Sequence, residues 1–228
     1  MPAPEHSMFK DVGSSGKRLV NQIGSTPMET LLMGGGIVLA SSLLDRPVSK
    51  WAGKHQGGKW DSMGSAANAI PIGLAATTGL LWMGLGDEAT ANTAWTAMKA
   101  AGLTFATEEA AKLAVGRARP ETNLGTYHFT GPGRKAFTSG FPSQHMGVAF
   151  ALATPFAERY GANWLYAVAG ATAFGRIQQQ KHFVSDTVAG SLIGYGIGNL
   201  LLDQERGRNS PRISIGPDRS LRAYWEFD

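Results

Sequence analysis

No cysteine occurs among the 228 residues. That excludes disulfides, thiol catalysis and Cys-ligated metal, and it leaves the compartment open. Charge is scarce as well: Asp, Glu, Lys and Arg make up 17% against 43% hydrophobic residues, although the mean hydropathy is slightly negative at -0.11. No basic stripe with interleaved aromatics is present, so nucleic acid is not an expected partner. There is no internal repeat and no low-complexity tract. Residues 1–26 lack the apolar centre of a signal peptide, which fits a cytoplasmic chain or one whose signal has been removed.

What is abundant is small. Thirty glycines and many alanines build the apolar segments, and small side chains let helices pack closely in water or in lipid. The net charge of +4 and the pI near 9.4 suit an anionic partner: a phosphate, an anionic lipid or another polyanion.

The pattern along the chain predicts an all-α protein, a bundle of about six helices with a polar loop at one end. Residues 1–26 read as an irregular segment, 27–203 as the helical domain and 204–228 as a tail. Leu31–Leu44 is an apolar helical run closed by Asp45-Arg46-Pro47, short of the ~20 residues a membrane span needs. Residues 50–62 read as a loop or short turn. Ser65–Gly86 is uncharged, but Asn68, Pro71 and Thr77-Thr78 make it a poor span. Ala89–Val115 is one long helix, expected to stop at Arg119-Pro120 because the residue before proline leaves the helical region. Residues 121–142 form a polar loop of a length that is usually functional. Helices follow over Ser143–Phe156, with Ser143 as N-cap, then Asn163–Arg176 and Phe183–Leu202. Arg212–Ile215 and Leu221–Phe227 alternate around Gly216-Pro217-Asp218, a small hairpin. The runs favour a water-soluble or surface-bound bundle.

Three stretches carry chemistry. Lys112 and Arg119 stand seven apart, two helical turns, so both project from one face at a helix end as an anion clamp. Alone, the stretch also reads as a solvated basic turn complementing the helix dipole. Ser143-Gln144-His145 opens a helix whose free N–H groups can hold an anion, with His145 able to move a proton; alone, it is an ordinary N-cap with a structural histidine. His182 and Asp186 stand four apart and share a helix face, so the carboxylate can hold one imidazole nitrogen and leave the other free. Arg176 does not fit that face, and a loop folding back would bring it to the histidine. Alone, this is a surface histidine with an i,i+4 partner.

Taken together, the order and spacing resemble the phosphatase superfamily of type-2 phosphatidic acid phosphatases, bacterial non-specific acid phosphatases and vanadium haloperoxidases. That family's signature is Lys, six residues, Arg-Pro; then Pro-Ser-Gly-His; then Ser-Arg, five residues, His, three residues, Asp. Here it is matched by Lys112 with Arg119-Pro120, by Pro142-Ser143 with His145, and by Arg176 with His182 and Asp186. Gln144 replaces the usual Gly and Gly175 the usual Ser, which bears on substrate choice more than on activity.

The resemblance implies that Lys112, Arg119, Arg176, Ser143 and the backbone at Gln144 bind phosphate. It implies that His182 attacks phosphorus, that Asp186 orients it, and that His145 protonates the leaving oxygen and then activates water. No metal or other cofactor is implied. The implied activity is hydrolysis of phosphomonoesters or diphosphates. The apolar composition and basic charge point to lipids: phosphatidate, phosphatidylglycerol phosphate, undecaprenyl diphosphate or lipid A phosphates. A membrane surface in the cell envelope, periplasmic or membrane-associated, is the expected setting. A soluble broad-specificity acid phosphatase is the nearest alternative, and a vanadium haloperoxidase is the remote one. His6 and His55 read as solvated, and His128 as a residue that could line the entrance.

Overall fold

The computed structural model describes residues 5–132, 139–206, 212–215 and 221–224. Among them are eight α-helices: α1 (Glu5–Gly24), α2 (Met28–Ser41), α3 (Asp45–Lys54), α4 (Lys59–Leu80), α5 (Glu88–Val115), α6 (Gln144–Tyr160), α7 (Trp164–Gln178) and α8 (Val184–Arg206). The all-α bundle is as expected, with two more helices than expected. A two-stranded antiparallel ribbon, β1 (Arg212–Ile215) and β2 (Leu221–Tyr224), follows it. The expected hairpin turn at Gly216-Pro217-Asp218 lies outside the described residues, as do Pro2, Pro4 and Gly133 of the segments read as irregular.

The N-terminal segment is a helix, not irregular. Val12, Ser15, Gly16 and Leu19 recur at helical spacing, and Ser15 and Leu19 are buried, with Leu19 joining Ala100, Ala151, Ile197 and Leu201 in one core cluster. The Ser-Ser-Gly sequence that suggests a break supplies the small residues of a helix contact. α3 was also unexpected. Pro47 falls in its first turn, where the missing N–H would have no helical partner anyway. α5 ends at Val115 as read, but the stop is made by Gly116 and not by Arg119-Pro120. Gly116 takes φ 61°, a left-handed C-cap, and its N–H bonds to the Lys112 carbonyl.

α6 lies at the centre and packs against α5, α7, α8 and α4. Close approach comes from glycines. On α8, Gly190, Gly194 and Gly198 lie against α6, and a Cβ on Gly198 would come 2.7 Å from Thr154 Cβ. Gly175 of α7 has a similar reason: a Cβ there would lie 2.5 Å from the Gly64 carbonyl oxygen and 2.9 Å from the Asn68 nitrogen of α4. The missing serine at 175 therefore follows from helix packing.

α2 has no buried residue, and Leu31, Leu32, Leu39 and Leu43 are all more than half exposed. The stretches Met28–Lys54 and Lys59–Leu85, each of 27 residues, are long and apolar enough to cross a membrane by length and composition. The first exceeds the fourteen-residue run read from sequence because Asp45 begins a further helical stretch instead of ending the path.

Alternation of helix direction puts the C-terminal ends of α5 and α7 beside the N-terminal ends of α6 and α8. All three chemical stretches therefore meet at one end of the bundle.

Candidate active site

The left-handed turn at Gly116 sends the chain out of α5 in extended form. Arg117 pairs by a single bridge with Phe129, and Arg119 is extended at φ -82°, ψ 156°. Lys112 and Arg119 therefore do not share one helical face, because Arg119 lies beyond the helix. Lys112 remains on α5, 4% exposed, with Nζ 2.9 Å from Gln144 Oε1 and 3.4 Å from Glu109 Oε1. The Gln144 amide in turn donates to Glu109 at 2.7 Å. Arg119 keeps a long contact of 3.7 Å with Glu121.

Ser143 takes the N-cap position of α6 with extended φ/ψ, but its side chain makes no cap bond. Its Oγ is buried without a protein partner, as is Nε of Arg176. Buried polar atoms are ordinarily satisfied, so these two orphans, one at the start of α6 and one in the last turn of α7, suit a ligand with acceptor oxygens. The Ser143 amide bonds to the Asp186 carbonyl at 3.0 Å, which ties the second stretch to the third.

The turn between α7 and α8 closes on Arg176. Gln180 takes φ 55°, and the amides of Lys181 and His182 both reach the Arg176 carbonyl, at 3.0 and 3.2 Å. The loop thus folds back as expected. His182 sits in that turn, before α8 begins, so it does not share a continuous helix with Asp186. His182 is 2% exposed, and its Nδ1–H donates to the Gly140 carbonyl at 2.6 Å. Asp186 Oδ2 is 3.8 Å from Nδ1 and accepts instead from the Phe183 amide at 2.8 Å. The group fixing the tautomer is therefore the Gly140 carbonyl, and the carboxylate acts at longer range. With Nδ1 protonated, the Nε2 lone pair is left to react.

Sequence reasoning passed over Arg117, Asp45 and Gly140. Arg117 is 3% exposed and joins Asp186 Oδ1 at 2.5 Å to Asp45 Oδ2 at 2.8 Å. Asp45 also receives the Ser185 amide at 2.8 Å and the Ser185 hydroxyl at 2.7 Å, so α3 is pinned to the first turn of α8. The Gly140 amide bonds to the Arg117 carbonyl at 2.7 Å, and a Cβ there would lie 3.3 Å from Asp186 Oδ2. Arg117 could have been noticed, standing two residues before Arg119 in an extended segment. Asp45 carried no such signal, being 140 residues from Ser185.

Burial, then Arg176, His182, Lys112 and Arg119 in turn, push His145 down to about 4. Burial and then Arg176 hold His182 well below the ordinary histidine range. Burial, then Arg119, lowers Arg176 to about 10. Burial raises Asp186 to about 7 against the pull of Arg117 and the Phe183 amide. These couplings gather both histidines and all three cations into one field. Both histidines hold fewer protons folded than unfolded, so stability is lost as pH falls below the ordinary value of 6.5. An anion bound beside them opposes the cations and raises His145. Vanadate binding is therefore expected to take up a proton at pH values between about 4 and the ordinary 6.5, read by calorimetry in buffers of different ionisation enthalpy. Binding with no proton uptake contradicts it.

The other histidines lie apart from this group. His55 stacks on Trp51 at 4.5 Å and meets Trp60 edge-on at 4.9 Å, so it belongs to an aromatic cluster and not to a solvated loop. His128 is exposed, and its carbonyl holds the Ala118 amide at 2.9 Å. The side chain of His6 lies outside the described residues.

A helical bundle that gathers two histidines and three cations at one end offers a site suited to an anion. Residues 93–210 match the model of the PAP2 superfamily, and the chain belongs to that family. Over 97 residues it is 34% identical to a lipid A 1-phosphatase of Porphyromonas gingivalis, covering 40% of this chain. The chain spans about a fifth of that relative's length, 19%. No solved structure matches it.

Proposed function

We propose that the protein is a phosphatase that removes phosphate from lipid phosphomonoesters or diphosphates through a phosphohistidine. The observation that carries this reading is His182, whose Nδ1 proton is committed to the Gly140 carbonyl while Lys112, Arg119 and Arg176 bear on the same ring. Nε2 attacks phosphorus, a P–N bond forms and the P–O ester bond breaks. His145 gives the leaving oxygen a proton, which phosphate binding has helped it to hold. Water then attacks phosphorus, His145 takes its proton, and the P–N bond breaks. The three cations and the Ser143 hydroxyl stabilise the charge on the equatorial oxygens. Asp186 supports the imidazolium across 3.8 Å.

The exposed apolar faces of α2 and α4 support a lipid substrate and attachment to an envelope membrane, as does the likeness to a lipid A 1-phosphatase. The test compares phosphate release from a short-chain phosphatidate and from a soluble chromogenic phosphate monoester, with and without chelator. Faster release from the lipid, insensitive to chelator, is expected. Preference for the soluble ester favours a broad-specificity acid phosphatase.

Gln144 sets the position of Lys112. Without its amide, Glu109 loses one donor and draws the ammonium away from the phosphate. Losing one hydrogen bond to a charged group costs ~1.5 kcal/mol, about tenfold in affinity. Gln144→Gly is thus expected to raise KM by three- to tenfold with a smaller change in kcat, measured by steady-state kinetics.

A further inference from the structure

Beside the phosphate site lies a groove of about 610 Å3 between the start of α3 and the loop after α5. Ser42, Leu43, Arg46, Lys50, Tyr127 and Phe183 line it. Its wall is shared with the site: Phe183 follows His182, and Pro120, which also lines it, follows Arg119. Its position is fixed, because Asp45, next to Arg46, is held by Arg117 and by the Ser185 amide.

Arg46 and Lys50 stand four apart on α3 and face this groove together. Among the described residues neither has a carboxylate partner, whereas Lys112, Arg119 and Lys181 at the same end each contact a glutamate. Two cations left without counter-charge in a concave site make a receptor for an anion. The opposite wall mixes polar and aromatic groups, among them Asn123, Thr126, Tyr127 and Phe183, and the apolar surface begins on the same side as Arg46. Leu43 is 76% exposed, and the bare apolar face of α2 leads away from the groove through Leu39. Cations at the end of such a face lie at the level of lipid phosphates when the apolar part enters a bilayer.

We propose that this groove is a second anion subsite, in which Arg46 and Lys50 hold another phosphate group of the same lipid molecule whose terminal phosphate meets His182. The proposal rests on the lipid phosphatase reading and narrows it to lipids carrying two phosphate groups. Acyl chains of that lipid run along Leu43 and α2.

The test uses two short-chain lipids in neutral detergent, dioctanoyl phosphatidate and dioctanoyl phosphatidylglycerol phosphate; the second adds one anionic phosphodiester. The variant R46Q/K50Q is expected to lower the ratio of kcat/KM, second lipid over first, by tenfold or more. Binding of both lipids to His182→Ala protein, with and without R46Q/K50Q, is measured in parallel by calorimetry. The preference for the second lipid should disappear with the two cations. Equal loss for both lipids overturns the proposal, showing that the cations serve general attraction or the bilayer surface. An unchanged ratio overturns it as well. If the wild-type protein releases phosphate from neither lipid, the phosphatase reading fails. The binding comparison then still decides the subsite.

Discussion

His182→Ala is expected to abolish phosphate release, with kcat falling on the order of 10^4- to 10^6-fold, as loss of a nucleophile does elsewhere. The side chain is enclosed, and its Nδ1 proton is taken by the Gly140 carbonyl at 2.6 Å. Neither neighbouring candidate can replace Nε2. Asp186 is engaged by Arg117 and the Phe183 amide, and His145 serves the leaving group in the proposed cycle. Inorganic phosphate should still bind within a few-fold, because Lys112, Arg119 and Arg176 remain. Rapid quench with labelled substrate should trap an acid-labile, base-stable phosphoprotein in the wild type and none in the variant. Retention of that adduct by His182→Ala protein would move the nucleophile elsewhere.

How much could be read from sequence depended on the range over which each feature is specified. α5 to α8 were legible to within a few residues, since long small-apolar runs and their caps are local signals. Asp87 accepting from the Thr90 amide, and Gly116 in the left-handed region, mark α5 at both ends. α1 was missed because its glycines and serines are local breakers, while Ser15 and Gly16 serve tertiary packing. Lys112, Arg119, Ser143, His145 and Arg176 lie at one end of the bundle, but Lys112 and Arg119 come there without the shared helix face that their spacing suggested. The partner of the His182 ring was not legible. The i,i+4 spacing suggested Asp186, but His182 lies in a turn before the helix, where a backbone carbonyl 42 residues away takes the bond. No residue type signals a carbonyl acceptor. Asp45 escaped for a similar reason, its meaning lying only in the tertiary meeting of α3 with α8.

Arg117→Met is the other change expected to have a large effect, on stability as well as rate. The guanidinium is the common partner of two buried carboxylates, Asp45 and Asp186, and also bonds the Ser185 hydroxyl at 2.7 Å and the Thr126 carbonyl at 2.6 Å. Its Cζ lies 4.6 Å from the centroid of the Phe183 ring. Breaking a buried pair by removing one partner costs about 3–5 kcal/mol, because the charge left behind is uncompensated. Two carboxylates are left here, against a total stability of about 5–15 kcal/mol for a typical domain. Methionine fills the volume but satisfies neither acid, so one carboxyl must take up a proton or turn away. If Asp186 does so, the imidazolium loses its counter-charge while the phosphate-binding cations stay, and kcat should fall much more than KM rises. Arg117→Lys keeps the charge, but one ammonium cannot span both carboxylates as a planar fork does, so it should recover part of the stability and little of the rate. Asp45→Asn in the Arg117→Met background removes one orphaned charge. The double variant should therefore be less destabilised than the sum of the single changes, as denaturant titration of all three can measure. Strict additivity would mean that Arg117 and Asp45 do not act on each other, and that α3 is held to the site by something else.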